Sequence, residues 1–353
     1  MMKNLGFSEK AAALIGNQVS DSELSRILAE HKERYIVQSI QGTFQAEITG
    51  NMRFAAQARA DFPAVGDWVK IVQMDEQSAV ILEIFPRYSR LERQAVGKQG
   101  EAQLIATNID FAFIVQSVGH DFNLNRLERY LSICYAGKIE PIIVLTKIDL
   151  IDETSIKVLN DQIKQRLPKV PLLFLSTITM EGFDQLKNQM EAFKTYCFIG
   201  SSGVGKSSVI NRLMENDVLE TNAISESTQK GRHTTTHREL LVLPNQSIVI
   251  DTPGMRELGM TSQTEGIEKT YDNIGELAQN CRFIDCSHQH EKGCAVIEAV
   301  ENGSLSEAVY ENYLKLKREQ EHFSTTIFEK RRKDKGFSKM AKAVVKDRKK
   351  NKF

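Results

Sequence analysis

The chain has 353 residues, 41% hydrophobic and 26% charged, which supports two or three packed domains and excludes a disordered or fibrous protein. No apolar run reaches the length of a membrane span and the opening residues lack a signal-peptide pattern, so the expected compartment is the cytoplasm and no membrane partner is expected. The net charge of zero hides an asymmetry: residues 330–353 hold 12 Lys/Arg against 2 Asp/Glu, a +10 tail on a −10 body, which points to a polyanion such as nucleic acid.

In chain order, residues 1–33 read as a helical lead-in, with Asp21 capping Glu23–Glu30. Short alternating segments follow at Tyr35–Ser39, Thr43–Thr49, Arg53–Ala58, Asp67–Gln73 and Ser78–Ile84. Five short strands in about 55 residues predict a small closed barrel over 34–88, an OB-fold first and an SH3-like barrel as its rival. Residues 88–100 read as a linker. Strands then alternate with helices: Phe111–Ser117, helix Leu124–Ala136, Pro141–Leu145, helix Ile156–Arg166, Leu172–Leu175, helix Phe183–Ala192 and Tyr196–Ile199. That spacing predicts a mostly parallel α/β sheet over 89–260, closed by a hairpin of Leu240–Leu243 and Ser247–Ile250. A helical domain over 261–329 and the basic tail 330–353 complete a multidomain chain.

Gly200-Ser201-Ser202-Gly203-Val204-Gly205-Lys206-Ser207 lies between strand Tyr196–Ile199 and helix Ser208–Met214, the context a Walker A loop needs. Its glycines let backbone N–H groups wrap a phosphate, Lys206 neutralises the β/γ oxygens, and the Ser207 hydroxyl suits Mg²⁺. Asp251-Thr252-Pro253-Gly254 ends the next apolar strand as a DxxG motif, with Asp251 reaching Mg²⁺ through water and the Gly254 N–H reaching the γ-phosphate. Thr146-Lys147-Ile148-Asp149 follows a buried strand and matches N/TKxD, with Thr at the position where Asn is usual. The Asp149 carboxylate can accept from guanine N1–H and N2–H₂, a donor pair that adenine lacks, so GTP/GDP is the expected ligand rather than ATP. Ser176-Thr177 ends another strand and fits the loop that approaches guanine O6.

Gly231-Arg232-His233-Thr234-Thr235-Thr236 lies between the P-loop and DxxG, where a switch loop offers a Thr to Mg²⁺; Thr235 is the first choice. Met255 follows DxxG and cannot orient water, so His233 is the candidate catalytic residue, with Arg232 as an alternative charge stabiliser. The order is unusual: the guanine motifs at 146 and 176 precede the P-loop at 200 and DxxG at 251. This is the order of a circularly permuted GTPase, in which the helical domain leaves the sheet directly after the γ-phosphate sensor.

Cys281, Cys286 and Cys294 fall within 14 residues with His288 among them, a Cys₃His set suited to one structural Zn²⁺. His290 is the alternative to His288. Protein-partnered switches and P-loop ATPases or kinases remain rival readings, the second opposed by the N/TKxD motif.

With these motifs in hand, the chain resembles the ribosome small subunit-dependent GTPase A family of bacterial ribosome-biogenesis factors. The resemblance rests on Gly203-Val204-Gly205-Lys206-Ser207-Ser208, Gly231-Arg232-His233, Asp251-Thr252-Pro253-Gly254 and Cys281, Cys286, His288 and Cys294, in permuted order, and spans essentially the whole chain. It implies an N-terminal OB-fold, late maturation of the 30S ribosomal subunit with binding to 16S rRNA, and GTP hydrolysis stimulated by that subunit. It also implies His233 as the catalytic histidine and the Cys₃His set as zinc ligands. A monomer is expected.

Overall fold

A computed structural model describes residues 2–16, 19–31, 34–94, 102–119, 121–215, 238–251 and 265–324. Near the N-terminus, α1 (Glu9–Ile15) is capped by Ser8, whose Oγ accepts from Ala11 N at 3.3 Å. Its Ala11 and Ile15 pack with Leu24, Trp68 and Phe85 on the outside of a barrel.

The barrel has strands β1 (Leu24–His31), β2 (Arg34–Gln38), β3 (Thr43–Ile48), β4 (Trp68–Gln73) and β5 (Ser78–Ile84). Its order is β1-β2-β3-β5-β4, closed by β1 against β4, with β3 and β5 parallel and the other pairs antiparallel. This OB-like closure leaves β3 strictly alternating, with Phe44, Ala46 and Ile48 buried against Ile27, Val37, Ile71 and Ile81.

Three sequence expectations change here. Glu23–Glu30 was expected as a helix, but Leu24–His31 is a strand bonded on both edges, to β2 and to β4. Its Leu, Ala and Glu residues favour helix locally, yet burial on both faces and two ladders outweigh about half a kcal/mol per residue of propensity. Arg53–Ala58 was expected as a strand; instead α2 (Gly50–Ala55) forms, with the Thr49 Oγ1 accepting from Met52 N at 3.1 Å. The expected linker 88–100 contains β6 (Arg90–Gln94), which pairs with β7 (Ala102–Thr107) and buries Leu91 and Ile105.

The same sheet continues beyond β1 through β8 (Phe111–Ser117), β9 (Glu140–Thr146), β10 (Leu172–Leu175), β11 (Thr195–Ile199), β12 (Glu239–Val242) and β13 (Ile248–Asp251). The order of this part is β10-β9-β8-β11-β13-β12, parallel except for the antiparallel edge β12, which also pairs with β1 through Ala29 and Glu239. Alternate residues face two cores. Phe113, Val115, Tyr196 and Phe198 meet α5 (Phe183–Gln189) and α6 (Lys206–Met214). Ile114, Ile143, Cys197 and Ile199 meet α3 (Leu124–Ala136) and α4 (Glu153–Arg166). Strand order reverses between β8 and β11, so the crevice beyond their carboxyl ends is where such a sheet binds ligand.

Arg26 ties the barrel to the parallel part of the sheet. It is fully buried and donates to Gly66 O at 3.3 Å, Asn108 O at 3.1 Å, Thr195 Oγ1 at 3.0 Å and Leu5 O, with Trp68 stacked over it. Thr195 opens β11, the strand that feeds the P-loop.

The C-terminal helices are α7 (Glu265–Thr270), α8 (Asp272–Ala278), α9 (Ala295–Glu301) and α10 (residues 307–324). Gly266 permits α7 to touch α3, since a Cβ there would sit 2.0 Å from Ser132 O. Beside it Glu128 of α3 lies 1% exposed in a network that ties this helical unit to the sheet. Its carboxylate accepts from Arg166 Nε at 2.5 Å and Nη2 at 2.7 Å, Tyr271 OH at 2.9 Å and Asn312 Nδ2 at 2.5 Å. No helix among the described residues is long and apolar enough to cross a membrane.

Candidate nucleotide site and metal centre

The P-loop leaves β11 at Ile199 and enters α6 at Lys206, in the crevice where the strand order reverses. Gly200 (φ +151°) must be glycine, because a Cβ would lie 2.2 Å from Val115 O; Gly203 and Gly205 also take positive φ, +81° and +96°. Gly205 precedes α6 without a side-chain cap, so the first amides of that helix stay available to a phosphate. Lys206 Nζ folds back over the loop and donates to Gly200 O at 2.8 Å and Ser201 O at 2.7 Å. Burial pulls its pKa down to about 8, while attraction from Asp251 opposes the shift. Asp251 ends β13 opposite Glu239, so DxxG starts within electrostatic reach of the P-loop lysine. Ser207 and Ser208 stand half-buried in the first turn of α6, while Ser201 and Ser202 lie in the loop.

The guanine motif meets the P-loop directly. Thr146 Oγ1 lies 2.5 Å from Val204 O and 3.3 Å from Gln116 O, so this hydroxyl ties the ends of β8 and β9 to the phosphate loop. Lys147 then adopts φ +62° and turns the chain into a short 3₁₀ turn, Ile148–Leu150, that presents Asp149. Ser176 Oγ donates to Asp149 Oδ1 at 2.5 Å and accepts from Ile178 N and Thr179 N, both at 3.1 Å. With its lone pairs committed to backbone, the single Ser176 proton aims the carboxylate. Thr177 lies in the same loop, half-buried. Sequence reasoning placed Ser176 only by its position after a strand; its hold on Asp149 joins residues 27 apart.

His233, Thr235 and Gly254, with Arg232, Thr234 and Thr236, lie outside the described residues. Two further contacts lie outside the sequence motifs. Gln116 exchanges hydrogen bonds with the Asn123 backbone (2.9 and 3.1 Å), fixing the start of α3. Arg126, two residues into α3, donates through Nη1 to Ser201 Oγ at 3.1 Å.

At the other end of the helical unit, the ligand atoms of Cys281, Cys286, His288 and Cys294 all lie within 4.8 Å of one another. His288 Nδ1 is 3.6 Å from Cys281 Sγ and 3.5 Å from Cys294 Sγ, and the two sulfurs are 3.9 Å apart. A tetrahedral site with metal–sulfur bonds of about 2.3 Å and metal–nitrogen bonds of about 2.0 Å has edges of about 3.8 and 3.5 Å, so the donor set fits such an ion. His288 is held at φ +62°, and Tyr310 OH donates to its carbonyl at 2.6 Å. His290 stands apart; its amide and that of Gln289 donate to Glu291, whose carboxylate also takes Ser287 Oγ and N. The Ser287 contacts hold the Glu291 carboxyl well below the usual range.

The family model described as RsgA GTPase matches residues 84–261. The chain is 40% identical over 331 residues to the small ribosomal subunit biogenesis GTPase RsgA 1 of Bacteroides thetaiotaomicron, covering 94% of this chain and 92% of that one. It is 44% identical over 299 residues to RsgA 2 of Listeria monocytogenes, covering 84% of each. Among solved structures, YjeQ from Thermotoga maritima aligns with a TM-score of 0.63 at 25% identity, over 84% of this chain and 98% of that one. YloQ, a circularly permuted GTPase, aligns at 0.61 over 84% and 94%, and at 24% identity supports the fold alone.

Proposed function

The chain belongs to the RsgA GTPase family, and on that premise we propose that it binds and hydrolyses GTP in late maturation of the 30S ribosomal subunit, contacting the 16S rRNA. The observation that carries the nucleotide reading is the contact between two motifs distant in sequence. Thr146 bonds the P-loop while Ser176 aims Asp149, so one rigid assembly grips phosphate and base together. Asp149 accepts from guanine N1–H and N2–H₂, with Lys147 and Ile148 shaping the turn and Ser176-Thr177 flanking the O6 edge. Amides from Gly200 to Ser208 hold the β-phosphate, and Lys206 exchanges its two carbonyl partners for β/γ oxygens.

Mg²⁺ bound with GTP neutralises the phosphates; Ser207 and Thr235 would ligate it and Asp251 would reach it through water. Gly254 N–H contacts the γ-phosphate and His233 orients the attacking water in this reading. One structural Zn²⁺ held by Cys281, Cys286, His288 and Cys294 suits the donor distances and the closed, fourfold protein ligation. The barrel takes an OB-fold role toward rRNA, and the +10 tail adds phosphate contacts. A barrel that begins at Leu24 rather than at residue 34, a GTPase domain over 89–260 and a helical domain over 261–329, a monomeric state and a cytoplasmic site of action belong to the same proposal.

The test is nucleotide competition. Fluorescent GDP bound to the purified chain should be displaced by GTP and GDP at least about a hundredfold more readily than by ATP, the selectivity scale of a buried polar pair. Equal displacement by ATP would reject the guanine reading.

A further inference from the structure

We propose that Arg126 is a catalytic arginine supplied by the chain itself, donating to the γ-phosphate of GTP as charge develops there during hydrolysis. The proposal rests on the GTPase reading above and names a residue that no motif carries.

The start of α3 is fixed by a side chain of β8. Gln116, near the end of β8, exchanges hydrogen bonds with the Asn123 backbone, and Asn123 Oδ1 accepts from Arg126 N at 3.0 Å. The helix start is therefore tied to the strand beside β11, at the crevice where the strand order reverses. From there the Arg126 guanidinium reaches the P-loop and donates to Ser201 Oγ at 3.1 Å. Lys206 donates to the carbonyl of the same Ser201 at 2.7 Å. In a P-loop enzyme that lysine moves onto the β/γ oxygens, so Arg126 meets the loop at a residue that the phosphate-binding lysine also touches. Two cations thus converge on one residue there.

Among the described residues the charge on Arg126 meets no carboxylate. Its second contact, to Asp121 O at 3.4 Å, also uses Nη1, so Nε and Nη2 have no protein partner among the described residues. The first turn of α3 holds no acidic side chain. A cation in the first turn of a helix also faces the positive end of the helix dipole. An unpaired guanidinium in that position is stabilised by an incoming anion, and its free fork matches two phosphate oxygens. Chemistry supplies the remaining reason. Met255 follows DxxG and has no polar group with which to stabilise charge on the phosphoryl group.

In the step itself the water oxygen bonds to Pγ as the bond from Pγ to the bridging oxygen breaks. The electron pair leaves with GDP, and the proton of the water ends on the released phosphate. Arg126 keeps its protons and contributes hydrogen bonds only.

The experiment compares the full chain with its Arg126→Ala and Arg126→Lys variants in single-turnover GTP hydrolysis with Mg²⁺, beside the affinities for GDP and a non-hydrolysable GTP analogue. Arg126→Ala should slow hydrolysis at least about a hundredfold, below the full range of an arginine finger, and Arg126→Lys should recover only part of this. Affinities should stay within about threefold, and the GDP–aluminium fluoride complex should no longer form in Arg126→Ala. Hydrolysis within about threefold of the unsubstituted chain would overturn the proposal. So would a parallel loss of GDP affinity and rate, which would mean that Arg126 only props the P-loop. If the unsubstituted chain failed to hydrolyse GTP at all, the GTPase reading would fall, and this proposal with it.

Discussion

Replacing Glu128 by alanine should loosen the attachment of the C-terminal helical unit to the nucleotide-binding sheet. The Glu128 side chain is 2% exposed and that of its ion-pair partner Arg166 only 12%, so the variant leaves a guanidinium nearly buried without its carboxylate. It also orphans the Tyr271 hydroxyl and the Asn312 amide as donors to that carboxylate, although those two groups bond each other at 2.9 Å. Breaking a buried pair from one side costs about 3–5 kcal/mol, a large part of the 5–15 kcal/mol that stabilises an ordinary domain. Glu128→Gln keeps an acceptor and the volume and should lose less, about 1–3 kcal/mol. Urea unfolding followed by far-UV circular dichroism measures both, with Arg166→Met/Glu128→Leu as the double variant that removes both charges. That double variant should recover part of the loss, since a buried pair replaced by apolar groups is often neutral. A loss under about 1 kcal/mol for Glu128→Ala would refute the claim that this network joins the two units.

Two further predictions concern the sites. Lys206, with its pKa lowered to about 8 by burial, binds phosphate only when charged, so GDP affinity should be nearly full at pH 7 and fall about tenfold by pH 9. Lys206→Arg stays charged across that range, and isothermal titration should find its pH slope abolished; an unchanged slope would reject the assignment. Purified chain should carry one zinc, and stripping it with a strong chelator should expose three thiols to a thiol reagent while buried Cys134 and Cys197 stay protected. Thiols that react equally with and without the metal would count against the site.

The residues proposed to hold nucleotide stand out in the sequence because their chemistry is local. A P-loop needs glycines, a lysine and a hydroxyl in eight consecutive positions, and the guanine turn needs Lys147 and Asp149 two apart. The four candidate metal ligands lie within one short stretch for the same reason, and in the structure His288, not His290, enters the cluster. What eluded the sequence depends on partners far along the chain. The first barrel strand, Leu24–His31, is stabilised by a neighbour around Trp68–Lys70 and by a contact with Glu239, and nothing local distinguishes it from a helix. The strand Arg90–Gln94 exists only against Ala102–Thr107. Glu128 and Arg126 read as ordinary charges on a helix face; a partner 184 residues away for one and 75 away for the other gives them their roles.

The central claim is that this chain hydrolyses GTP in response to the small ribosomal subunit. It is tested most directly by phosphate release from GTP by the purified chain, alone and with purified small subunits, with ATP and large subunits as controls. Release should be slow alone and rise at least about tenfold with small subunits, for GTP only. Release from GTP that small subunits leave unchanged, or that large subunits stimulate equally, would contradict it.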